Sequence, residues 1–228
     1  MMPPRLPFGL SSSLSALVPD LSPARLGFAA ARLARAEAPL AGLSVPQPDL
    51  LDDLAGRHVA LIGNARALAQ GRHGAAIDAA DLVIRINRAP LPDPASHGTR
   101  TDWLALAVRL SDADRARLSP RRILWMSPKR KRLDWDSARS PGFYLHPLAD
   151  IAQLQGRLAA PPTTGAMMID LALRADLASL TLYGFDFFAS LSLSGRRTVA
   201  DVPHDFTAEA AWVQDLLRHD PRLSLVRP

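Results

Sequence analysis

The stretch from Val59 to Pro90 constrains this chain more than any other. It holds two strand-like apolar runs around a turn-rich middle, and each run leads straight into polar residues. Ala60-Leu61-Ile62 passes into Gly63-Asn64, and Leu82-Val83-Ile84 passes into Arg85-Ile86-Asn87-Arg88-Ala89-Pro90. A plain core strand has no need of such an ending. An apolar run closed by Gly-Asn is how an open α/β sheet delivers polar groups to the crevice at its strand ends. The stretch is therefore a candidate nucleotide-binding edge. Each piece alone carries little: Gly63-Asn64 is by itself an ordinary turn, and Asp78 and Asp81 read alone as solvated helix-end residues.

The rest of the chain repeats this alternation. Strand-like runs fall near residues 58–62, 82–86, 102–107, 122–126, 180–183 and 223–226, and helical candidates near 111–118, 149–158, 165–173 and 206–219. Strands alternating with helices predict a three-layer α/β/α, Rossmann-like domain with a mainly parallel central sheet. The 228 residues suit one domain, and a hydrophobic content of 48% suits a globular one. Residues 1–48 read as a partly helical extension, with a helix over 29–36, and residues 49–228 as the single domain. No apolar run reaches the roughly 18 residues of a spanning helix, and the order of a secretory signal is missing.

Two further motifs follow. Pro161-Pro162-Thr163-Thr164-Gly165-Ala166 opens a helical stretch, and Leu180-Thr181-Leu182-Tyr183-Gly184-Phe185 reads as a strand ending in glycine. A Thr-Thr-Gly turn at a helix start offers hydroxyls, N–H groups and the positive dipole end to an anion, and serves equally as an N-cap. His204 stands just before a stretch in which Phe206, Ala210, Val213 and Leu217 recur at helical spacing. A neutral imidazole there is placed to accept a proton. Glu209 lies more than one turn further on, to support the site or merely to cap the helix.

The order and spacing of Gly63-Asn64, Gly74, Ile77-Asp78, Asp81, Val83, Arg85, Asn87, Ala89-Pro90 and Gly98-Thr99-Arg100-Thr101 resemble the long motif of the sialyltransferase family, whose members transfer sialic acid from CMP-sialic acid. The Thr163-Thr164-Gly165 turn with Tyr183-Gly184-Phe185 resembles that family's short motif, and His204 through Glu209 its last small motif. The resemblance runs over about residues 55 to 217. It implies a GT-A-like variant of the Rossmann fold and an inverting, metal-independent transfer with no cofactor beyond the CMP-sugar donor. It further implies His204 as general base with Glu209 beside it, Gly63, Asn64 and Asn87 at the nucleotide and its phosphate, and Thr163, Thr164 and Gly165 at the sugar carboxylate or the cytidine. Arg85 is expected to orient Asn87 or to fix the strand end by pairing with Asp78 or Asp81.

Two departures narrow the expectation. The family's His-aromatic motif is missing between Phe187 and Pro203, where Arg196 and Arg197 are the candidates to neutralise the donor phosphate. The chain has no cysteine, so neither the disulfide of the animal members nor a thiolate site exists, and no oxidising compartment is required for folding. No spacing among the histidines suggests a metal pair. A short member working in the cytoplasm is the expectation.

Charge adds a last clue. The net charge is +5, and Arg115, Arg117, Arg121, Arg122, Lys129, Arg130, Lys131 and Arg132 crowd one window. Such a run is by default a solvated face; it also suits an acidic glycan or an anionic inner membrane face. No aromatic signature for RNA accompanies it, so nucleic acid is not expected. The expected donor is a CMP-activated sialic acid or a Kdo-like 3-deoxy-2-ulosonic acid, and the acceptor a glycan or glycolipid hydroxyl. Two alternatives stay open: an inactive nucleotide-binding module of the same fold, and an enzyme using another nucleotide-sugar.

Overall fold

A computed structural model of the protein describes residues 22–186 and 203–226. Its centre is a sheet of seven strands: β1 (His58–Ile62), β2 (Leu82–Ile86), β3 (Trp103–Leu106), β4 (Arg122–Trp125), β5 (Tyr144–Leu145), β6 (Ser179–Tyr183) and β7 (Leu223–Val226). They lie in the order β5-β4-β3-β2-β1-β6-β7, and every neighbouring pair is parallel. The helices are α1 (Pro23–Ala34), α2 (Glu37–Ala41), α3 (Gln47–Asp52), α4 (Gly74–Asp78), α5 (Pro94–His97), α6 (Asp112–Leu118), α7 (Trp135–Ala138), α8 (Leu148–Leu158), α9 (Thr164–Leu173) and α10 (Phe206–His219). The expected three-layer α/β class holds, with a wholly parallel sheet. None of the described helices is long and apolar enough to cross a membrane.

The strands are apolar on both faces because both faces are covered. Val59 and Leu61 of β1 pack with Leu82 and Ile84 of β2 in one core, whereas Ala60, Ile62 and Val83 pack in another on the opposite side. Towards the β5 edge, Leu104, Leu106, Ile123 and Trp125 form a third cluster. The N-terminal helices complete that cluster: Phe28 and Ala31 of α1 and Leu40 of α2 are buried in it. Glu37 meets the buried guanidinium of Arg130, which also donates to the carbonyls of Ser127 and His146 at 2.8 and 2.7 Å.

Most of the strands and helices read from the sequence are found within a residue or two. Two differ for physical reasons. Strand β5 has only two residues, too few for an alternating pattern, and extends the edge through β4 alone. Helix α1 starts six residues before the expected stretch, because Ser22 caps it with Pro23 in the first turn; it stops where Arg35 takes a left-handed φ of 56°.

The order in which strands are added reverses between β1 and β6, and the backbones come close there. The Gly63 N–H donates to the Tyr183 carbonyl at 2.7 Å, and that of Ala65 to the Gly184 carbonyl at 3.2 Å. A Cβ on Gly63 would stand 2.3 Å from the Gly184 carbonyl oxygen, a backbone atom that cannot rotate away. Gly63→Ala is therefore expected to lower stability by about 1–3 kcal/mol, the range of overpacking in a tight core. Gly27→Ala on α1, where an added Cβ meets nothing within 4 Å, should instead be neutral or stabilise by up to about 1 kcal/mol. Urea unfolding of the two variants beside the parent checks the contrast.

Candidate active site

The reversal of strand order at β1 and β6 leaves a crevice beyond the strand ends, where open α/β sheets bind ligands. A cavity of about 780 Å³ fills it. The C-terminal ends of β1, β2, β3, β4 and β6 form its floor, and α8, α9 and α10 contribute to its walls. Its lining includes Gly63, Asn64, Asn87, Thr163, Thr164, Gly165, His204 and Glu209, all the residues picked from the sequence except Arg196 and Arg197. Those two arginines lie outside the described residues.

Each of these residues has a local reason for its position. Asn87 follows β2 in a left-handed conformation with φ of 53°, which asparagine tolerates better than most residues. Its Oδ1 accepts from the Ala107 N–H at 2.9 Å, and its Nδ2 points to Thr164 Oγ1 at 3.4 Å. The Asn87 amide thus joins the ends of β2 and β3 to the start of α9. Asn64, one residue past Gly63, donates from Nδ2 to the Ile86 carbonyl at 3.3 Å. Helix α9 points its N-terminus into the cavity. The N–H groups of Thr164 and Gly165 are first-turn donors with no intrahelical partner, and both residues line the cavity. An added Cβ on Gly165 would meet the Phe185 ring at 2.7 Å, so glycine lets Phe185, two residues past β6, lie against the start of α9.

Helices α9 and α10 are joined at their starts by two bridges. Glu209, in the first turn of α10, is buried, and its two carboxylate oxygens accept from the Thr163 N–H at 2.6 Å and the Thr163 hydroxyl at 2.8 Å. Thr163 Oγ1 in turn accepts from the Ala166 N–H and caps α9. The hydroxyl is thus engaged on both sides, and ligand contact from this turn falls to Thr164 and the N–H groups. Burial pushes the Glu209 carboxyl above its ordinary range, opposed by the two Thr163 hydrogen bonds. The second bridge is His204, whose Nδ1 lies 2.7 Å from the Pro161 carbonyl oxygen. A carbonyl only accepts, so Nδ1 carries the proton, and in the neutral ring Nε2 holds the lone pair.

The structure corrects two expectations. Arg85 does not pair with Asp78 or Asp81: it is buried, and donates to the carbonyls of Arg100 and His97 at 2.7 and 2.8 Å. Burial pushes its guanidinium down to about 10, with Asp78 opposing. Asp78 itself accepts from the Thr99 and Arg100 N–H groups, so it pins a loop and is not a mere helix-end charge. The basic window from Arg115 to Arg132 is not one solvated face either. Arg115 bonds Asp134 and Ser137, Arg117 bonds Asp114 and two carbonyls, Arg121 meets Asp102, Arg122 meets Asp53, and Arg130 is buried on Glu37. The sequence reading missed the cavity residues after β4, Ser127 and Pro128; the strand-end rule applied to residues 122–126 would have found them. Among the described residues no three histidines, aspartates or glutamates are grouped to hold a metal ion.

A parallel sheet with a crevice at its switch point is the arrangement in which open α/β domains bind ligands. The family comparison is more specific: residues 37–109 match glycosyltransferase family 29 (sialyltransferase). The family reading made from the sequence, and with it the assignment as a glycosyltransferase, is supported by that match. A comparison with curated protein sequences finds no match. Solved structures share the fold. A mammalian sialyltransferase is 18% identical with a TM-score of 0.57, over 79% of this chain and 78% of that one. A mammalian sialyltransferase in complex with Gal-beta-1-3GalNAc-ortho-nitrophenol is 18% identical at 0.56, over 90% and 85%. Sialyltransferase CstII from Campylobacter jejuni in complex with cytidine-5'-monophosphate is 13% identical at 0.51, over 76% and 81%.

The Glu209–Thr163 bridge makes a pH-dependent prediction. A carboxyl whose folded pKa is raised contributes its full stability below the ordinary carboxylate range, and loses part of it as pH rises through the raised value. The stability difference between the parent and Glu209→Gln should therefore be largest near pH 4 and shrink towards pH 7. Glu209→Ala strands the Thr163 N–H and should cost about 1–3 kcal/mol. Urea titrations across that pH range measure both; a difference that grows with pH would contradict the assignment.

Proposed function

We propose that this protein transfers sialic acid, or a Kdo-like 3-deoxy-2-ulosonic acid, from its CMP donor to a hydroxyl of a glycan or glycolipid, with inversion. The observation that carries the reading is the convergence of Asn64, Asn87, the start of α9 and His204 on one cavity at the switch point of the sheet. Sialyltransferase CstII, which shares the fold, has been seen with CMP and with CMP-3FNeuAc. In the proposed reaction Asn64 and Asn87 hold the nucleotide and its phosphate. The Thr164 hydroxyl and the N–H groups of Thr164 and Gly165 take the sugar carboxylate at the positive end of α9. The acceptor oxygen attacks the anomeric carbon from the face opposite CMP, and the bond to the phosphate oxygen breaks as the new one forms. His204 Nε2 takes the acceptor's proton, and CMP leaves with the electron pair. Glu209 acts as a positioning residue, because its oxygens hold Thr163.

We assign donor-phosphate neutralisation to Arg196 or Arg197, and we place the reaction in the cytoplasm, which the cysteine-free sequence suits. No metal takes part in the proposed transfer, which should proceed unchanged in EDTA.

CMP should raise the thermal midpoint of the protein where UDP, GDP and NAD do not, since only a true ligand stabilises by mass action. CMP-sialic acid or CMP-Kdo should release CMP when an acceptor is supplied. His204→Ala should slow transfer by about 10²–10⁴-fold, the usual worth of a general base, and leave the CMP-induced shift in place. Full activity in His204→Ala removes the assigned base; stabilisation by another nucleotide in place of CMP overturns the donor.

A further inference from the structure

The cavity is electrically lopsided. Its acidic lining residues, Asp186 and Glu209, stand on the β6 and α10 side. Its cations, Arg88, Lys129 and Arg132, stand after β2 and β4, on the other side. Nearly every other arginine of this region is held internally: Arg100, Arg115, Arg117, Arg121, Arg122 and Arg130 each meet a carboxylate. The side chains of Lys129 and Arg132 are exposed and form no hydrogen bond or ion pair with any described residue, whereas Arg88 is exposed and lies in the field of Asp114. Two cations without a partner among the described residues, facing one cavity beside six satisfied arginines, mark a wall suited to an anion.

Strand spacing separates Lys129 and Arg132 from the proposed donor contacts. Parallel strands lie about 4.8 Å apart, so the end of β4 is roughly 10 Å from the end of β2, where Asn87 sits beside Thr164 at the start of α9, and further still from β1. One donor sugar held at α9 does not bring its own carboxylate to Lys129 and Arg132. An anion bound there belongs to the second substrate.

We infer that Lys129 and Arg132 form the acceptor side of the cavity and select an acceptor that carries a carboxylate or phosphate near the attacking hydroxyl. The inference rests on the transferase reading and adds the acceptor's chemical class. Guanidinium and ammonium groups suit both anions, arginine through its two-pronged fork and lysine as a point charge. The order of charges along the cavity, base at His204 and cations at β4, lets one acceptor reach both.

Sialyllactose and lactose serve as charged and neutral probes, titrated by calorimetry onto protein saturated with CMP. Sialyllactose should bind at least about tenfold tighter at low salt, the scale of one charge-assisted hydrogen bond, and the advantage should shrink as salt rises. A Lys129→Ala/Arg132→Ala double variant should lose it, and Lys129→Arg should keep it. Because both side chains are exposed and have no partner among the described residues, the variants should keep the parent's unfolding midpoint. Phosphorylated lactose distinguishes a carboxylate preference from a phosphate preference. Equal binding of charged and neutral sugars, or no binding of any charged one, overturns the inference. So does loss of the CMP-induced thermal shift in the double variant alone, which would give the wall to the donor. Lack of that shift in parent and variant alike counts against the donor reading, and the comparison of sugars without nucleotide still reads the wall.

Discussion

The close approach of β1 and β6 at Gly63 and Gly184 is the constraint on which the rest of this molecule depends. It joins the five strands running from β5 to β1 to the two-strand half of β6 and β7, with no side chain between the backbones. Asn64 begins where that contact ends, so its amide is placed by the sheet and not by a free loop. Phe185 leaves β6 at the same level and lies against Gly165. One backbone contact thereby sets the positions of a polar residue after β1 and of the helix start that faces it. Sites built on such rigid elements hold their geometry better than sites built on loops alone.

The second constraint acts across helices. His204 and Glu209 come from the start of α10, and Pro161 and Thr163 from the approach to α9, more than forty residues away in sequence. The two bridges fix the angle at which α9 presents its N-terminus, and they fix the His204 tautomer with the same stroke. A histidine free to turn would offer either nitrogen. One that donates from Nδ1 to a carbonyl offers Nε2 alone. Glu209 is therefore better understood through Thr163 than through any substrate: a buried carboxylate with both oxygens engaged is a poor partner for a proton in flight, and a good brace.

How much of this was legible in the sequence depended on range. Strands β1 and β2, with Gly63, Asn64 and Asn87 after them, were readable because their signals are local: a covered strand is a short apolar run, and a strand end is a polar break. The start of α9 was readable because an N-cap is written within three residues, here Thr163 to Ala166. Arg85 was misjudged because its partners are backbone carbonyls, which no residue type announces. The basic window misled for a related reason. Five of its arginines find partners such as Glu37, Asp53 and Asp102, which the sequence places up to 93 residues away. Composition counts charges, and only the fold says which of them are already answered.

That distinction also governs the proposed choice between substrates. A cation held by a carboxylate has exchanged water for a fixed partner and offers an incoming anion little, because a second bond must compete with the first. A cation without a partner keeps its full field, and inside a concave wall that field is screened less than on open surface. Arg130 and Lys129 are neighbours in sequence, yet they differ in this way: one is buried on Glu37, and the other is exposed in the cavity lining. The short turn of residues 130–132 produces the difference by pointing Arg130 inward while Arg132 stays at the surface. The same three residues therefore close the core beneath β4 and charge the wall above it. Any change that loosened Arg130 would disturb both, which ties the stability of this edge of the sheet to the electrostatics of the cavity.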